Sequence, residues 1–236
     1  MRTNVLLIIS LALALGGTGQ AGNKQGDSKK DLDKAIRTTA ALKSYAFQIN
    51  ERPGQGSGGM FQGKFEQGKP IFFLADKIEF FKKGDILAYK DKDKWERSRT
   101  GRLSDPLRVL GGVAKVRGAR LPHDELSELA KHMKKITLAK KEPSSTVYSG
   151  IYQGELEEAA ARRLVPKALE NVAQKGQAKI WVGADGHVHK YSLTIPVEGR
   201  QGNLEIKGQV ARTVLLTDRG TAKITVPDGA KKALEK

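Results

Sequence analysis

The sequence predicts an α+β fold in which helices cover one face of a large, curved antiparallel β-sheet. Short segments of alternating apolar residues, separated by turn signals, occupy both ends of the chain, and helical patterns occupy the middle. The 26 glycines among 236 residues suit many tight turns. No change in composition marks a linker, so we expect residues 22–236 to form a single domain.

The first element of this domain is predicted to be an amphipathic helix. Apolar residues recur at helical spacing over Asp31–Lys43. Asp27 or Ser28 can begin the helix, because their short polar side chains accept hydrogen bonds from unpaired backbone N–H groups.

A series of short strands is predicted to follow this helix. Tyr45, Phe47 and Ile49 alternate with smaller or polar residues, which puts three large apolar side chains on one face of a strand. Turn signals separate the next four segments, which is typical of an antiparallel meander. These segments are Met60–Glu66, Pro70–Ala75, Lys77–Phe81 and Asp85–Lys90.

The middle of the chain is predicted to be helical. Asp105-Pro106 and Pro122-His123-Asp124 each carry the signals of a helix start, and Gly111-Gly112 predicts a break in the first of these helices. Strands and short helices then alternate. The predicted strands are Ile136–Lys141, Thr146–Gln153, Gln177–Ala184, His187–Val197, Asn203–Leu216 and Thr221–Val226, and the predicted short helices are Glu155–Arg163 and Pro166–Val172.

Residues 1–21 are predicted to form a cleaved signal peptide. Arg2 supplies a positive start, Val5–Leu15 is apolar apart from Ser10, and Gly19-Gln20-Ala21 places small residues where a signal peptidase cuts. The apolar run is far shorter than the ~20 residues that span a bilayer, which disfavours an uncleaved anchor. We expect cleavage after Ala21 and a mature chain in the periplasm or outside the cell.

The chain is strongly basic, with 42 Lys and Arg against 26 Asp and Glu and a formal charge of +16. For an exported protein, anionic lipid head groups or cell-wall polymers are the expected acidic partners, rather than nucleic acid. The alternative is that scattered lysines serve solubility alone. The chain has no cysteine, which excludes disulfides, thiolate metal sites, cysteine nucleophiles and lipid anchors on cysteine.

No group of residues in the sequence indicates catalysis. Gly54–Gly59 fits G-x-G-x-x-G but leads into a strand rather than a helix, and Ser57 does not match G-x-S-x-G. His187 and His189 share one face of a strand, but a metal site needs a third ligand, and only Asp185 lies near them in sequence. We expect no enzyme activity, no metal and no cofactor.

Several short patterns, taken with the order of the elements, resemble one protein family. In the first half these are Met60–Phe65, Lys69–Phe73, Lys83–Tyr89 and Trp95, and in the second half Ala178–Val182, Asp185-Gly186-His187 and Thr225-Val226-Pro227. Each pattern alone is ordinary hairpin chemistry. Together they resemble the bacterial LolA/LppX-like lipoprotein carriers over residues 30–230.

The resemblance implies an incomplete β-barrel whose open concave side is closed by helices, leaving an apolar cavity for acyl chains. The residues expected to line that cavity are Phe47, Phe65, Phe72 and Tyr89 from the strands and Leu107, Leu110 and Val113 from the helical lid. The alternative is that the same side chains fill a dry core. Many members of the family are themselves lipoproteins, but without a cysteine this chain would act as a free, soluble carrier.

Basic side chains near the middle helices are candidates for a head-group rim. A positive rim at the mouth of a lipid pocket would attract phosphate groups before the acyl chains enter. The alternative is a solvated helix face. The rim candidates are Arg108, Lys115, Arg117, Lys134 and Lys135.

We therefore predict an exported, soluble carrier for lipids or for the acyl chains of lipoproteins, with an anionic membrane surface as a further partner and no nucleic acid. The second hypothesis is a non-enzymatic interaction or structural protein of the cell envelope without a ligand cavity. A carrier should retain an apolar ligand through purification, whereas an interaction protein should expose an apolar patch or oligomerise.

Overall fold

The computed structural model describes residues 23–52, 59–98, 116, 119–140, 148–165, 167–201 and 204–235. The helices are α1 (Asn23–Ala40), α2 (Pro122–His132), α3 (Glu158–Leu164) and α4 (Asp228–Glu235), and a 3-10 helix covers Lys167–Val172. The strands are β1 (Ser44–Arg52), β2 (Gly59–Glu66), β3 (Ile71–Ala75), β4 (Ile78–Lys83), β5 (Ile86–Asp91), β6 (Lys94–Ser98), β7 (Met133–Lys140), β8 (Tyr148–Leu156), β9 (Gly176–Gly183), β10 (Val188–Gln201) and β11 (Leu204–Thr217).

These strands form one antiparallel sheet with the order β6-β5-β4-β3-β2-β1-β11-β10-β9-β8-β7. Each half of the sheet is a meander, and the halves join where β1 pairs with β11, from Ala46 opposite Thr217 to Arg52 opposite Ala211. β6 and β7 lie at opposite edges, so the sheet is open. The predicted α+β class, a large open sheet with helices, is confirmed.

Tight turns connect the strands of the first half. Asp76 and Lys77 join β3 to β4 with positive φ angles of 50° and 66°, the two-residue turn whose twist matches that of a hairpin. Gly84, with a φ of 58°, lies in the turn between β4 and β5, where a left-handed backbone favours glycine. The predicted meander of the first half is therefore present.

The inner face of the sheet is the one on which α1, α2 and α3 pack. Tyr45, Phe47 and Ile49 of β1 point to it, as their alternation predicts, and all three are buried. Helix residues such as Leu32 of α1 and Leu126 of α2 join them in one large apolar cluster. Because this cluster draws side chains from both halves of the sheet, it is the main core of the domain.

The opposite, outer face carries a second and smaller cluster beneath α4. Phe81 of β4 and Ala88 of β5 pack there against Ala230, Ala233 and Leu234 of α4. The C-terminal helix therefore covers the outer face of the first half of the sheet.

One predicted strand, Thr221–Val226, is not a strand in the structure. The backbone N–H of Ile224 donates to Glu66 Oε2 at 2.7 Å instead of to a neighbouring strand, and the Ile224 side chain packs in the outer cluster. The alternation in this segment reflects the packing of every second residue on the sheet, which an irregular chain can achieve as well as a strand.

Other elements also differ from prediction. α1 begins at Asn23, before the predicted start at Asp27 or Ser28, and ends at Ala40 rather than Lys43. The helix predicted over Glu155–Arg163 begins at Glu158, because β8 continues to Leu156, whose side chain is buried in the inner cluster. Sequence alternation does not indicate β6, which is rich in charged residues and pairs with β5 at the edge of the sheet.

The signal peptide predicted over residues 1–21 lies outside the described residues. So does the helix predicted to begin at Asp105, apart from Val116 and Ala119. Of the helices in the described ranges, none is both long enough and apolar enough to cross a bilayer.

Candidate functional site

The inner face of the first half of the sheet is rich in aromatic side chains. The ring of Tyr45 on β1 lies 5.2 Å from that of Phe65 on β2, and Phe47 lies 5.8 Å from Phe73 on β3, centroid to centroid. These spacings are typical of tilted and edge-on aromatic pairs, which add to the stabilisation from burial alone. The rings form a continuous apolar surface, and His123 of α2 lies against it at Tyr45 and Phe65.

A glycine makes one of these contacts possible. Gly63 on β2 lies directly opposite Phe47 on β1, and a Cβ atom at this position would come within 2.2 Å of the Phe47 ring. The ring therefore lies over the β2 backbone, in space that any other residue would fill. Glycine inside a strand pattern is a signal of such a close approach.

The structure brings three of the predicted cavity residues to this face. Phe47 and Tyr89 are buried in the inner cluster, with exposed fractions of 3% and 2%, and Phe65 is half-buried against it. Whether they line a ligand cavity stays a prediction.

Phe72 is not with them, and its assignment to the same face is wrong. It pairs with Lys64 across β2 and β3, and its ring lies 5.4 Å from Phe81 in the outer cluster. Phe73, the next residue, takes the inner position. Side chains alternate between faces, so a shift of one residue in register exchanges them, and the sequence Phe72-Phe73 is compatible with both registers.

The remaining lid and rim candidates fall mostly outside the described residues. These are Leu107, Leu110, Val113, Arg108, Lys115 and Arg117. Lys134 and Lys135 lie at the start of β7, where they are exposed but paired. Lys134 Nζ is 2.7 Å from Glu157 Oε1, and Lys135 Nζ is 2.9 Å from Glu155 Oε2. Each carboxylate offsets the positive charge that a head-group rim would need.

His123, in the first turn of α2, closes over the aromatic surface. Its ring centroid is 4.9 Å from that of Phe65, and its Nδ1 lies 2.5 Å from the Tyr45 hydroxyl. Burial lowers the pKa of His123 and outweighs the nearby Asp124, which raises it. The imidazole is therefore neutral near pH 7, and Nδ1 accepts the hydrogen bond that Tyr45 donates.

A buried charged pair joins α2 to the sheet next to these rings. Glu125 is only 1% exposed, and its Oε2 lies 3.2 Å from Nη2 of Arg212 on β11, which is 8% exposed. Glu51 of β1 approaches Nη1 of the same guanidinium at 3.9 Å. Tyr191 of β10 is fully buried beside the pair.

Burial and charge act in opposite directions in this cluster. Burial raises the pKa of Glu125 and outweighs Arg212, which lowers it. Burial also raises the pKa of Tyr191, and the nearby Glu125 raises it further. Burial lowers the pKa of Arg212, but Glu125, Tyr191 and Glu51 more than offset this, so the guanidinium stays charged.

The polar atoms of the cluster are only partly paired among the described residues. The Tyr191 hydroxyl and the Glu125 carboxyl group share a side-chain hydrogen bond, whereas Nε of Arg212 has no hydrogen-bond partner there. Buried polar groups in proteins are nearly always paired, with water if not with protein. Nε of Arg212 can therefore donate to a water molecule or to another polar group within an otherwise apolar interior. Sequence patterns do not reveal it, because Glu125 and Arg212 meet only in the folded chain.

The predicted histidine pair surrounds Asp185 at the turn between β9 and β10. Asp185 Oδ1 lies 3.0 Å from His189 Nε2 and accepts from the His187 N–H at 3.1 Å, while Arg219 donates to Oδ2 at 2.9 Å. Burial raises the pKa of Asp185, but these hydrogen bonds outweigh it and lower the pKa to about 2. Within the described ranges, no three His, Cys, Asp or Glu side chains are arranged to hold a metal.

Two grooves lie on the surface. One, of about 590 Å³, is lined by Glu158, Ala159, Arg162, Arg163 and Asn171. The other, of about 190 Å³, lies beside α4 and is lined by Lys69, Pro70, Lys83, Val226, Lys231, Leu234 and Glu235. Neither includes a predicted cavity residue.

No protein-family model matches this chain, and no curated protein matches its sequence. Two solved structures share its architecture. The lipoprotein LppX of Mycobacterium tuberculosis matches with a TM-score of 0.51 and 12% identity, over 86% of this chain and 99% of LppX. LprF from Mycobacterium bovis matches with a TM-score of 0.52 and 12% identity, over 89% of this chain and all of LprF (100%). At such low identity the likeness concerns the fold.

Proposed function

We propose that this chain, which has the LolA/LppX-like fold predicted from its sequence, is an exported carrier for lipids or for the acyl chains of lipoproteins. The acyl chains would lie between the inner face of the sheet and the helices. The observation that carries the proposal is the aromatic surface on the inner face of β1–β5, which includes Phe47, Phe65 and Tyr89. Such a surface offers a large apolar contact area to a hydrocarbon chain.

The buried polar cluster supports a ligand that is not purely hydrocarbon. Arg212 Nε is a buried donor without a hydrogen-bond partner in the described part of the chain. An oxygen of an ester, hydroxyl or amide group of a lipid could accept from it, since leaving such a group unpaired costs about 1–3 kcal/mol.

The head-group rim remains part of the proposal, with one modification. The carboxylates that pair with Lys134 and Lys135 reduce the net charge that those two lysines can offer to a phosphate. Arg108, Lys115 and Arg117 would therefore supply most of the rim.

A periplasmic or secreted location follows from the predicted signal peptide and fits a carrier of lipids. In this proposal the chain forms one domain after cleavage, acts without a metal or cofactor, and catalyses no reaction. Its partners are a lipid or an acylated protein, together with an anionic membrane surface.

One observation favours the second hypothesis, an envelope interaction protein without a ligand cavity. Phe47, Phe73 and Tyr89 are almost completely buried, with exposed fractions of 3%, 1% and 2%. Side chains packed this closely can form a filled core.

Native mass spectrometry of the exported chain, purified without detergent, tests the carrier proposal directly. We expect a bound species that organic extraction identifies as a lipid. A protein that carries no ligand, and whose mass is unchanged after incubation with lipid vesicles, would overturn the carrier proposal and favour the interaction protein.

A pair of variants locates the ligand. Phe65→Ala removes a half-buried ring from the inner face, whereas Phe72→Ala removes a half-buried ring from the outer face. We expect Phe65→Ala to weaken binding of a dansyl-labelled fatty acid roughly tenfold, and Phe72→Ala to leave it unchanged. Equal effects of the two variants would contradict a site on the inner face.

A further inference from the structure

The outer face of the second half of the sheet carries a group of side chains that we call the Trp181 patch: Trp181, Lys179, Lys190, Leu215 and Ile151. Strand register makes Leu215, Lys190, Trp181 and Ile151 consecutive cross-strand neighbours on β11, β10, β9 and β8. Adjacent strands are ~4.8 Å apart, so these side chains form one row on the sheet. Lys179 lies two residues from Trp181, on the same face of β9.

The two lysines of the patch lie over the indole ring. Lys190 Nζ is 4.7 Å from the ring centroid of Trp181, and Lys179 Nζ is 5.3 Å from it. Neither lysine forms an ion pair with a described acidic residue, unlike Lys134 and Lys135 on β7. The Trp181 patch therefore keeps its positive charge.

On one side, the surroundings of the patch are uncharged. The next outer-face residues in the same two rows of the sheet are Gln48, Thr213, Ser192 and Gln153. On the other side, the next outer-face position of β9 is Gly183, and the Asp185 carboxylate lies over it. Arg219 pairs with this carboxylate at 2.9 Å and offsets its charge.

The patch also exposes apolar atoms, at Leu215 and Trp181 but not at Ile151, which is buried. Leu215 is 37% exposed, and Trp181 is half-buried against its lysine neighbours. Of the described helices, only α4 packs on the outer face, and it lies over β4–β6 in the other half of the sheet. In the described part of the chain, nothing comparable covers Trp181.

We propose that the Trp181 patch docks the protein on an anionic lipid bilayer. The indole ring and Leu215 would lie at the level of the head groups, where amphipathic aromatic rings are favoured. Lys179 and Lys190 would contact lipid phosphates, and the strongly positive overall charge of the chain would strengthen the approach. This inference does not require a ligand cavity, and it assigns membrane contact to the face of the sheet opposite the proposed acyl-chain site.

The exposed apolar atoms favour a bilayer over a soluble anionic polymer. A polymer would be held by charge alone and would leave Leu215 and the indole ring in water. A bilayer instead accepts both the charge and the apolar contact.

The experiment is co-sedimentation with vesicles of phosphatidylcholine, with and without phosphatidylglycerol, at low salt. We expect binding only to the vesicles that contain phosphatidylglycerol, and we expect Lys179→Glu/Lys190→Glu to weaken it at least tenfold. The matched control, Lys92→Glu/Lys94→Glu, makes the same change in net charge at the turn between β5 and β6, far from the patch. It should weaken binding much less. Equal losses in the two variants would overturn the proposal, because only net charge would then matter.

The two tryptophans give a second, independent measurement. The chain has only two, and Trp95 lies on the other half of the sheet, in contact with the outer cluster. In the Trp95→Phe variant, Trp181 is the only source of tryptophan fluorescence. Its emission maximum should shift to shorter wavelength on addition of anionic vesicles. In the Trp181→Phe variant, Trp95 should show no shift. Vesicle binding without a Trp181 shift, with equal binding to heparin, would overturn bilayer docking in favour of polyanion binding.

The dansyl-labelled fatty acid separates this inference from the carrier proposal. Lys179→Glu/Lys190→Glu should leave fatty-acid binding unchanged, because the patch and the inner face lie on opposite sides of the sheet. Loss of vesicle binding with intact fatty-acid binding supports the patch. Loss of both vesicle binding and fatty-acid binding would place the two lysines in the ligand site and overturn the docking proposal.

Discussion

The inner and outer faces of this sheet carry similar apolar side chains, but their surroundings differ. On the inner face, aromatic rings pack beneath helices together with a buried ion pair. On the outer face, α4 covers one half, and the described helices leave the other half uncovered. Apolar alternation thus marks which residues share a face, while the elements packed on that face decide whether they form a core, a ligand site or a docking surface.

The two tryptophans illustrate the same difference within the outer face. Trp95 lies 5.4 Å from the ring of Phe81 and touches the start of α4 at Gly229. Trp181 instead has two lysine ammonium groups over its ring. An indole packed on apolar neighbours contributes to stability, whereas one that stacks with unpaired lysines is suited to contact an anionic surface.

The largest expected effect concerns the buried ion pair of the inner face. Among the described residues, Glu125→Leu leaves the buried Arg212 charge with Glu51 at 3.9 Å as its acidic partner, and it should lower the free energy of unfolding by about 3–5 kcal/mol. Arg212→Met should lower the free energy of unfolding by less. The Glu125 carboxyl group that it leaves behind can take up a proton, whereas a guanidinium cannot lose one. Urea unfolding followed by circular dichroism measures both values. Equal losses of stability in the two variants would show that Glu125 does not take up a proton when Arg212 is removed.

The second prediction compares one residue type on the two halves of the outer face. Leu234 of α4 is 5% exposed in the outer cluster, and Leu215 in the Trp181 patch is 37% exposed. Leu234→Ala should cost about 2–4 kcal/mol, and Leu215→Ala less than about 1 kcal/mol, because an exposed side chain leaves no cavity. Thermal unfolding of the two variants tests this. A large loss for Leu215→Ala would mean that the patch is covered in the folded protein.

The third prediction compares two glycines that touch aromatic rings. Gly63→Ala should cost about 1–3 kcal/mol, because the Phe47 ring is buried and cannot move away from the new methyl group. Gly229→Ala should cost less than this, although its Cβ would lie 2.5 Å from Cδ1 of Trp95, because Trp95 is only half-buried and can shift, and alanine favours the first turn of α4. Denaturant midpoints of the two variants measure the difference, and a larger loss for Gly229→Ala would reverse the comparison.

The smallest expected effect concerns pH and the turn between β9 and β10. The pKa of Asp185 falls from its usual 3.8 to about 2 in the folded chain. Such a carboxylate stabilises the folded state above pH 4 and loses this contribution as the pH falls towards 2. Asp185 is 43% exposed, so the contribution is below about 1 kcal/mol. Asp185→Asn should flatten the fall in melting temperature between pH 4 and pH 2, and the exposed-turn variant Asp93→Asn should not.

Local patterns predicted the order of the elements and much of the inner face. Tyr45, Phe47 and Ile49 point inward as their alternation predicts, and the turn residues lie between the predicted strands of the first half. These features depend on neighbours in sequence, which the sequence displays directly.

Features that depend on partners distant in sequence could not be predicted. The choice between Phe72 and Phe73 for the inner face depends on register with β2. The segment Thr221–Val226 has the alternation of a strand, but its backbone N–H at Ile224 donates to the Glu66 side chain instead of to a neighbouring strand. Glu125 shows the ordinary polarity of a first helical turn, and only the contact with Arg212 of β11 makes it a buried charge.

The pairing of β1 with β11 ties the two ends of the chain together at the centre of the sheet. Until residues 204–217 are available, β1 has a partner on one side only, and the first half of the sheet has an unpaired edge. Closing a loop of this length is entropically slow, so the central seam should form late in folding. Such a chain completes its central sheet only when residues near both of its ends are present together.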